Sequence, residues 1–188
     1  MLIRNRDQLL SHGNIAGRRI VLDILEAGMA AADPYPNTRD LIRIEDDKLI
    51  VGNDHIPRDD VPELQAPSGA RIYPPDPLVF DLSEVKHIYV VGGGKAAQRM
   101  AKAMEDVLGD LITGGHINAK KGDEVYLKRI GVTLAGHPIP DEDSVAGARR
   151  ILEIEHKARE GDIVFVSTSG GGSALMALPA PGITLQDL

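Results

Sequence analysis

Three times in the second half of the chain, an apolar run ends in a short polar loop containing glycine and passes into a helix-forming segment. "VKHIYVVGGG" (Val85 to Gly94) leads into "KAAQRMAKAMEDVLGD", and "GVTLAGHPIPD" leads into "DEDSVAGARRILEIEHKARE". "GDIVFVSTSGGGSALMALP" repeats the order and stops at the start of an apolar helix. A continuous apolar run is the pattern of a strand buried on both faces, and strand, loop and helix in succession form an α/β domain with a parallel sheet. The expected fold is therefore α/β: a Rossmann-like three-layer αβα domain with a mostly parallel sheet. In open parallel sheets, ligands bind beyond the carboxyl ends of the strands. That rule makes Gly92 to Ala96, Gly136 to Asp143 and Ser167 to Ser173 the candidate site.

The first half reads differently. "RDQLLSHGNIAGRRIVLDILEAGMAAADP" spaces Leu9, Leu10, Ile20, Leu22, Ile24 and Leu25 as a helix does, with Asp33-Pro34 as its stop. The segment predicts one helix, or two with a kink near Gly13. Leu41, Ile42 and Ile44, a turn over Glu45 to Lys48, and then Leu49, Ile50 and Val51 predict a β-hairpin. Pro57 to Pro77, rich in Pro, Asp and Ser, predicts an extended surface connection. With 188 residues and 43% hydrophobic content the chain can bury one core, so a single domain is expected.

Composition narrows the function. A net charge of −7 with mixed signs along the chain argues against nucleic acid as a partner. The absence of cysteine removes thiolate chemistry and cysteine-ligated metals. No apolar stretch at the N-terminus or elsewhere has the length of a membrane span, so a cytoplasmic location without a membrane partner is expected. Aromatics make up only 3%, so a ligand would be held by backbone and charged groups.

Gly92, Gly94 and Ala97 satisfy the GxGxxA pattern of dinucleotide sites. That fingerprint also expects an acid at the end of the next strand, to hold a ribose hydroxyl. Here "LITGGHINAKK" ends in Asn118, Lys120 and Lys121, which weakens a nicotinamide reading. It is not a P-loop either, because Lys95 is followed by Ala96 rather than Ser or Thr. What survives is an anion site in which Gly92, Gly93 and Gly94 open the backbone at a helix N-terminus and Lys95 adds positive charge; a tight turn with a solvated lysine is the alternative. His137, between Gly136 and Pro138, is either a hydrogen-bonded turn residue or a site residue. Asp141 or Asp143 is expected to cap the next helix, and the acids there do not form a convincing metal site. Gly170, Gly171 and Gly172 allow a nest of N–H groups, and Ser169 and Ser173 add hydroxyls suited to a carboxylate or phosphate. Neither serine lies in a GxSxG elbow, so hydrolysis is disfavoured.

In order and spacing, "VVGGGKAAQRMAKAMEDVLG", "AGHPIPDEDSVAGARRILE" and "DIVFVSTSGGGSALMALPAPGITLQDL" resemble the N-terminal part of the glycerate 2-kinase family that carries a C-terminal MOFRL domain. The likeness is close over Phe80 to Leu188 and looser before it. Some members of that family carry the label hydroxypyruvate reductase. The resemblance implies transfer of the γ-phosphate of ATP, with Mg²⁺ or another divalent metal, to the 2-hydroxyl of D-glycerate in a cleft between two α/β domains. It implies that Lys95 faces substrate and phosphate and that Ser169 to Ser173 cradle an anion, while His137 shapes the cleft. The metal ligands stay unassigned. Because the family's fold continues past the position of Leu188, the chain is expected to be an N-terminal fragment supplying half of the cleft, without the MOFRL domain. Gly182-Ile183-Thr184 reads as the cap of a further helix. The missing half of such an enzyme is an expected partner, and self-association stays open. The alternatives are an NAD(P)-dependent hydroxypyruvate reductase and a non-catalytic anion-binding fragment.

Overall fold

The apolar runs become adjacent parallel strands. The computed structural model describes residues 2–52 and 76–188, together with the backbone of 64–65 and 71–72. Its main sheet comprises β6 (Ile88–Gly93), β7 (Ile112–Lys120), β8 (Gly131–Ala135) and β9 (Ile163–Thr168), the labels β1 to β5 belonging to strands earlier in the chain. All of its pairings are parallel, and the spatial order is β8-β7-β6-β9. In sequence the chain moves from β6 outward through β7 to β8, then returns to the other side of β6 for β9. The strand order therefore reverses between β6 and β9, which is where a sheet of this kind opens a crevice at its carboxyl edge.

Two helices cover opposite faces. α4 (Ala97–Leu108) buries Ala97, Ala101, Met104 and Leu108 against Ile88, Val90, Ile112 and Ile117. Alternation along a strand sends Asn118 to the other face, where α5 (Glu142–Lys157) lies. Each strongly buried aliphatic side chain in this core contributes roughly 1.5–3 kcal/mol. Gly109 ends α4 at φ +51°, as its place after the helix predicts. Asp141, not Asp143, caps α5: its carboxylate accepts the Ser144 N–H at 3.1 Å, and the Ser144 hydroxyl accepts the Asp141 N–H at 3.1 Å.

The link from β7 to β8 has no helix, unlike the other crossovers. It is anchored instead by Glu105 of α4, whose buried carboxylate accepts the N–H groups of Lys128, Arg129 and Ile130 at 2.6 to 3.2 Å. Three backbone donors that a helix would have satisfied are satisfied by one side chain.

The N-terminal segment forms two helices, α1 (Arg6–Leu9) and α2 (Ile15–Ala31), separated near Gly13. Asn14 caps α2 by accepting the Gly17 N–H at 3.0 Å. Asp33-Pro34 ends α2 but also starts a third helix, α3 (Pro34–Arg39), because Asp33 accepts the Tyr35 N–H and proline suits the first turn. The hairpin is β1 (Ile42–Glu45) with β2 (Lys48–Val51), extended by β5 (Leu78–Asp81) into a three-stranded antiparallel sheet. Ile42 and Leu49 join the core under α4. The connection expected over Pro57 to Pro77 falls mostly outside the described residues; of it, β3 (Leu64–Gln65) and β4 (Arg71–Ile72) pair antiparallel. At the other end, Thr184 and Asp187 cap a short 3₁₀ turn over Leu185–Asp187, in keeping with the cap expected at Gly182-Ile183-Thr184.

Candidate functional site

The three loops at the carboxyl edge meet, and the first and third interlock. β6 and β9 run side by side to their ends, with Gly92 opposite Ser167 and Gly93 opposite Thr168. The approach is so close that a methyl on Gly92 would stand 2.0 Å from the Ser167 carbonyl oxygen, and one on Gly94 would stand 2.2 Å from Ser169 Oγ. Both glycines have positive φ, 150° and 139°. Two glycines of the first loop are therefore explained by backbone packing alone.

That packing changes what the first loop can offer. The Gly94 N–H donates to the Asn118 carbonyl at 3.1 Å, the Lys95 N–H to the Gly170 carbonyl at 3.1 Å, and the Ala96 N–H to Ser169 Oγ at 2.9 Å. The sequence predicts either an anion held at this helix N-terminus, with the backbone opened by Gly92, Gly93 and Gly94, or a tight turn with a solvated lysine; the Gly94, Lys95 and Ala96 donors are in fact used inside the protein. α4 has no capping side chain of its own, and Ser169, from a loop 73 residues further along, fills that role. What remains available from the first loop is the Lys95 side chain, which is exposed and has no acidic partner within ion-pair distance among the described residues.

The third loop keeps free donors. Ser169 N–H goes to the Gly93 carbonyl at 3.3 Å and Gly172 N–H to the Ser169 carbonyl at 3.1 Å, but the N–H groups of Gly170 and Gly171 have no partner among the described residues. Gly171 is left-handed at φ 95°, just before the one-turn helix α6 (Gly172–Leu175). A methyl on Gly171 would stand 2.9 Å from His137 Nε2 and 3.4 Å from Lys95 Cγ. His137 is half-buried, and its peptide to Pro138 is cis. Gly171 is thus the point at which the second loop's imidazole, the first loop's lysine and the third loop's backbone come together. Ser173, one residue into α6, is exposed beside them.

The acids of the second loop face elsewhere. Lys121, at the end of β7, bridges Asp141 at 2.7 Å and Asp143 at 2.6 Å. Burial raises the Asp141 pKa, but the Lys121 ammonium and the N–H groups of Gly136 and Ser144 outweigh it and hold the carboxyl at about 2. These carboxylates serve a cap and an ion pair, and among the described residues no group of three or more His, Asp or Glu could hold a metal ion. The sequence reading did not assign Lys121 this role. A lysine at the end of one strand and acids at the start of a helix 20 residues on were the available signal. Asn118, at the ribose-acid position of a dinucleotide site, is fully buried and so cannot meet a ligand. A cavity of about 440 Å³ lies away from the three loops, lined by Arg39, Asp40, Ile42, Arg43, Ile44, Asp106 and Val107.

A profile described as a domain of unknown function, DUF4147, matches residues 20–188. The chain is 40% identical over 172 residues to a glycerate 2-kinase of Pyrococcus horikoshii, an alignment covering 91% of this chain and 32% of that protein. It is also 40% identical over 98 residues to a putative hydroxypyruvate reductase of Agrobacterium vitis, covering 52% of this chain and 26% of the other. Among solved structures, a P. horikoshii OT3 protein superposes with a TM-score of 0.66 at 39% identity, over 90% of this chain and 33% of that one. The chain thus spans about a third of the length of the P. horikoshii kinase.

Proposed function

Because the chain belongs to the DUF4147 family, matched over residues 20–188, we propose that it carries the anion-binding loops of a glycerate 2-kinase, which transfers the γ-phosphoryl group of ATP to the 2-hydroxyl of D-glycerate. The observation that carries this reading is the meeting, at one edge of the sheet, of Lys95, His137 and the N–H groups of Gly170 and Gly171, which have no partner among the described residues. Phosphoryl transfer asks a protein chiefly to position two anions and to neutralise charge on the moving group. Here the backbone donors of Gly170 and Gly171 and the Ser173 hydroxyl hold an anionic oxygen, and His137 flanks it beside Gly171. Lys95 is the catalytic cation, placed against the transferring phosphoryl group. The bond from the glycerate oxygen to phosphorus forms as the bond to the β,γ-bridging oxygen breaks. ADP leaves with that electron pair, and the hydroxyl proton is released. Gly92, Gly93, Gly94, Ser169 and Gly172 build the backbone that holds these groups rather than meeting the ligand through side chains.

The described acids do not fit a resident metal, since Asp141 and Asp143 are engaged by Lys121. A divalent ion such as Mg²⁺ enters this reading only as part of the nucleotide complex. Further groups of the active site come from the portion of the relatives' length that this chain does not span.

The test is glycerate-dependent ADP release from Mg-ATP by the whole polypeptide carrying these residues. Lys95→Ala is expected to lower kcat by on the order of 10²–10³-fold while leaving the thermal transition in place, because an exposed lysine adds little to the core. No ADP release from the unsubstituted protein, with NADH oxidised by hydroxypyruvate instead, replaces the kinase reading with a reductase. Calorimetric binding of phosphate and glycerate without turnover leaves an anion-binding module.

A further inference from the structure

We propose that Asn118 is a positioning residue that ties the three loops of the site into one mechanical unit. The proposal deepens the reading above and rests on it for the catalytic consequence, but not for the geometry. Asn118 lies near the end of β7 and is fully buried. Its carbonyl accepts the Gly94 N–H of the first loop at 3.1 Å. Its side-chain amide donates to the Ser144 carbonyl at 3.1 Å, in the first turn of the helix that follows the Gly-His-Pro loop. The same amide donates to the Leu175 carbonyl at 2.7 Å, at the end of the one-turn helix that follows the Ser-Gly-Gly-Gly-Ser loop. One residue thus reaches the first loop and the helices that leave the second and third.

The amide cannot be replaced there without loss of one of these ties. Both of its protons are used on carbonyls from different elements, while Oδ1 has no partner among the described residues. A methyl on Gly147 of α5 would stand 2.0 Å from that oxygen, so the glycine leaves room for the amide and helps fix its orientation. A position needed only for packing would be better filled by an apolar side chain like its neighbours Ile117 and Ala119, which are equally buried and have no polar group to satisfy. The donors to two loop-bearing helices are what the amide adds.

The test is amide hydrogen exchange on the whole polypeptide, read over the segments 92–98, 136–145 and 168–176 and, as internal reference, around Val90 and Ile117. Asn118→Ala is expected to speed exchange in segments 136–145 and 168–176 by about tenfold or more, with a smaller rise over 92–98, whose tie is the main-chain carbonyl that alanine keeps, while the reference segments keep their rates. Equal acceleration in loops and core, or none in the loops, overturns the proposal. Gly147→Ala touches none of the loops but displaces the amide. It should reproduce the loop effect alone and add nothing in the Asn118→Ala background, whereas additive effects count against the hub. Should Asn118→Ala fail to fold, the unsubstituted protein still decides: under graded denaturant the three loop segments should open in one common step, and independent openings overturn the idea. In turnover, Asn118→Ala is expected to lower kcat by about tenfold or more with KM for glycerate little changed, as lost alignment rather than lost binding predicts. If loop exchange responds as stated but the unsubstituted protein releases no ADP, the kinase reading fails and the role of Asn118 stands.

Discussion

The parallel sheet and helix α2 are both built from regularly spaced aliphatic residues, and they use them in opposite ways. Val90 and Ile117 in the sheet are 0% exposed, whereas Ile20 and Ile24 on α2 are 61% and 66% exposed. Of α2, only Leu22 is buried. Polar contacts hold that helix: the Asn14 cap, and Glu26, which accepts from the Leu2 and Ile3 N–H groups and pairs with Arg6 at 2.9 Å. Spacing therefore fixes which residues share a face and which conformation presents that face. Burial depends on what else the chain brings to it. In the sheet, helices on two faces do so; along α2, no described residue covers the stripe of Ile20, Ile24 and Leu25.

The sharpest way to break this contrast is to attack the tightest contact of the sheet. Gly92→Ala places a methyl 2.0 Å from a main-chain oxygen at φ 150°, where neither partner is a flexible side chain. The expected result is loss of cooperative folding, or destabilisation by about 4 kcal/mol or more, read by urea unfolding followed by circular dichroism. Next comes Ile117→Ala, which empties a fully buried site between β7 and α4 and should cost roughly 2–5 kcal/mol in the same measurement.

pH acts on the sheet through His116. The ring is buried on β7, with Nε2 at 2.8 Å from Thr133 Oγ1. Burial first, and then the nearby Arg150 charge, lower its pKa from 6.5 to about 4 against a smaller opposing effect of Glu153. The folded state therefore refuses a proton that the unfolded chain accepts. Stability is unaffected by this group above pH 6.5, falls as the pH drops from 6.5 to about 4, and carries a constant penalty below that. The loss should reach up to about 3 kcal/mol, and His116→Gln should remove this part of the pH dependence of the urea midpoint. A midpoint that falls equally in the variant would assign the effect to other groups.

The sheet was legible because apolar runs ending in glycine leave few alternatives, and Ile88–Gly93, Gly131–Ala135 and Ile163–Thr168 all lie inside the runs read as strands. The placing of the three loops at one edge follows from parallel pairing and was legible for the same reason. The use of their N–H groups was not. Whether the Lys95 and Ala96 amides face an anion or a neighbour depends on how closely β6 and β9 approach, and that distance is set by Gly92 and Gly94 against a strand 75 residues away in sequence. Glu105 and Asn118 were hidden for a related reason. Each satisfies backbone groups far along the chain, and a single polar residue inside an apolar pattern does not announce its partners. The exposure of α2 was equally invisible, because periodicity carries no information about what covers a face.

The smallest predicted effect isolates that last point. Ile24→Ala removes the same atoms as Ile117→Ala, but from a side chain that is 66% exposed on a well-formed helix. Little apolar area is lost to water in the folded state, since most of it is already there, and alanine is the better helix former by a few tenths of a kcal/mol. Stability should stay within about 0.5 kcal/mol of the unsubstituted protein, with a slight gain as the favoured direction. Measured beside Ile117→Ala by urea unfolding, the substitution reads the state of the α2 face directly. A near-zero effect shows a helix that stands on its own caps and ion pairs, whereas a loss of about 2 kcal/mol or more shows that the Ile24 face is covered as α4 covers Ile117.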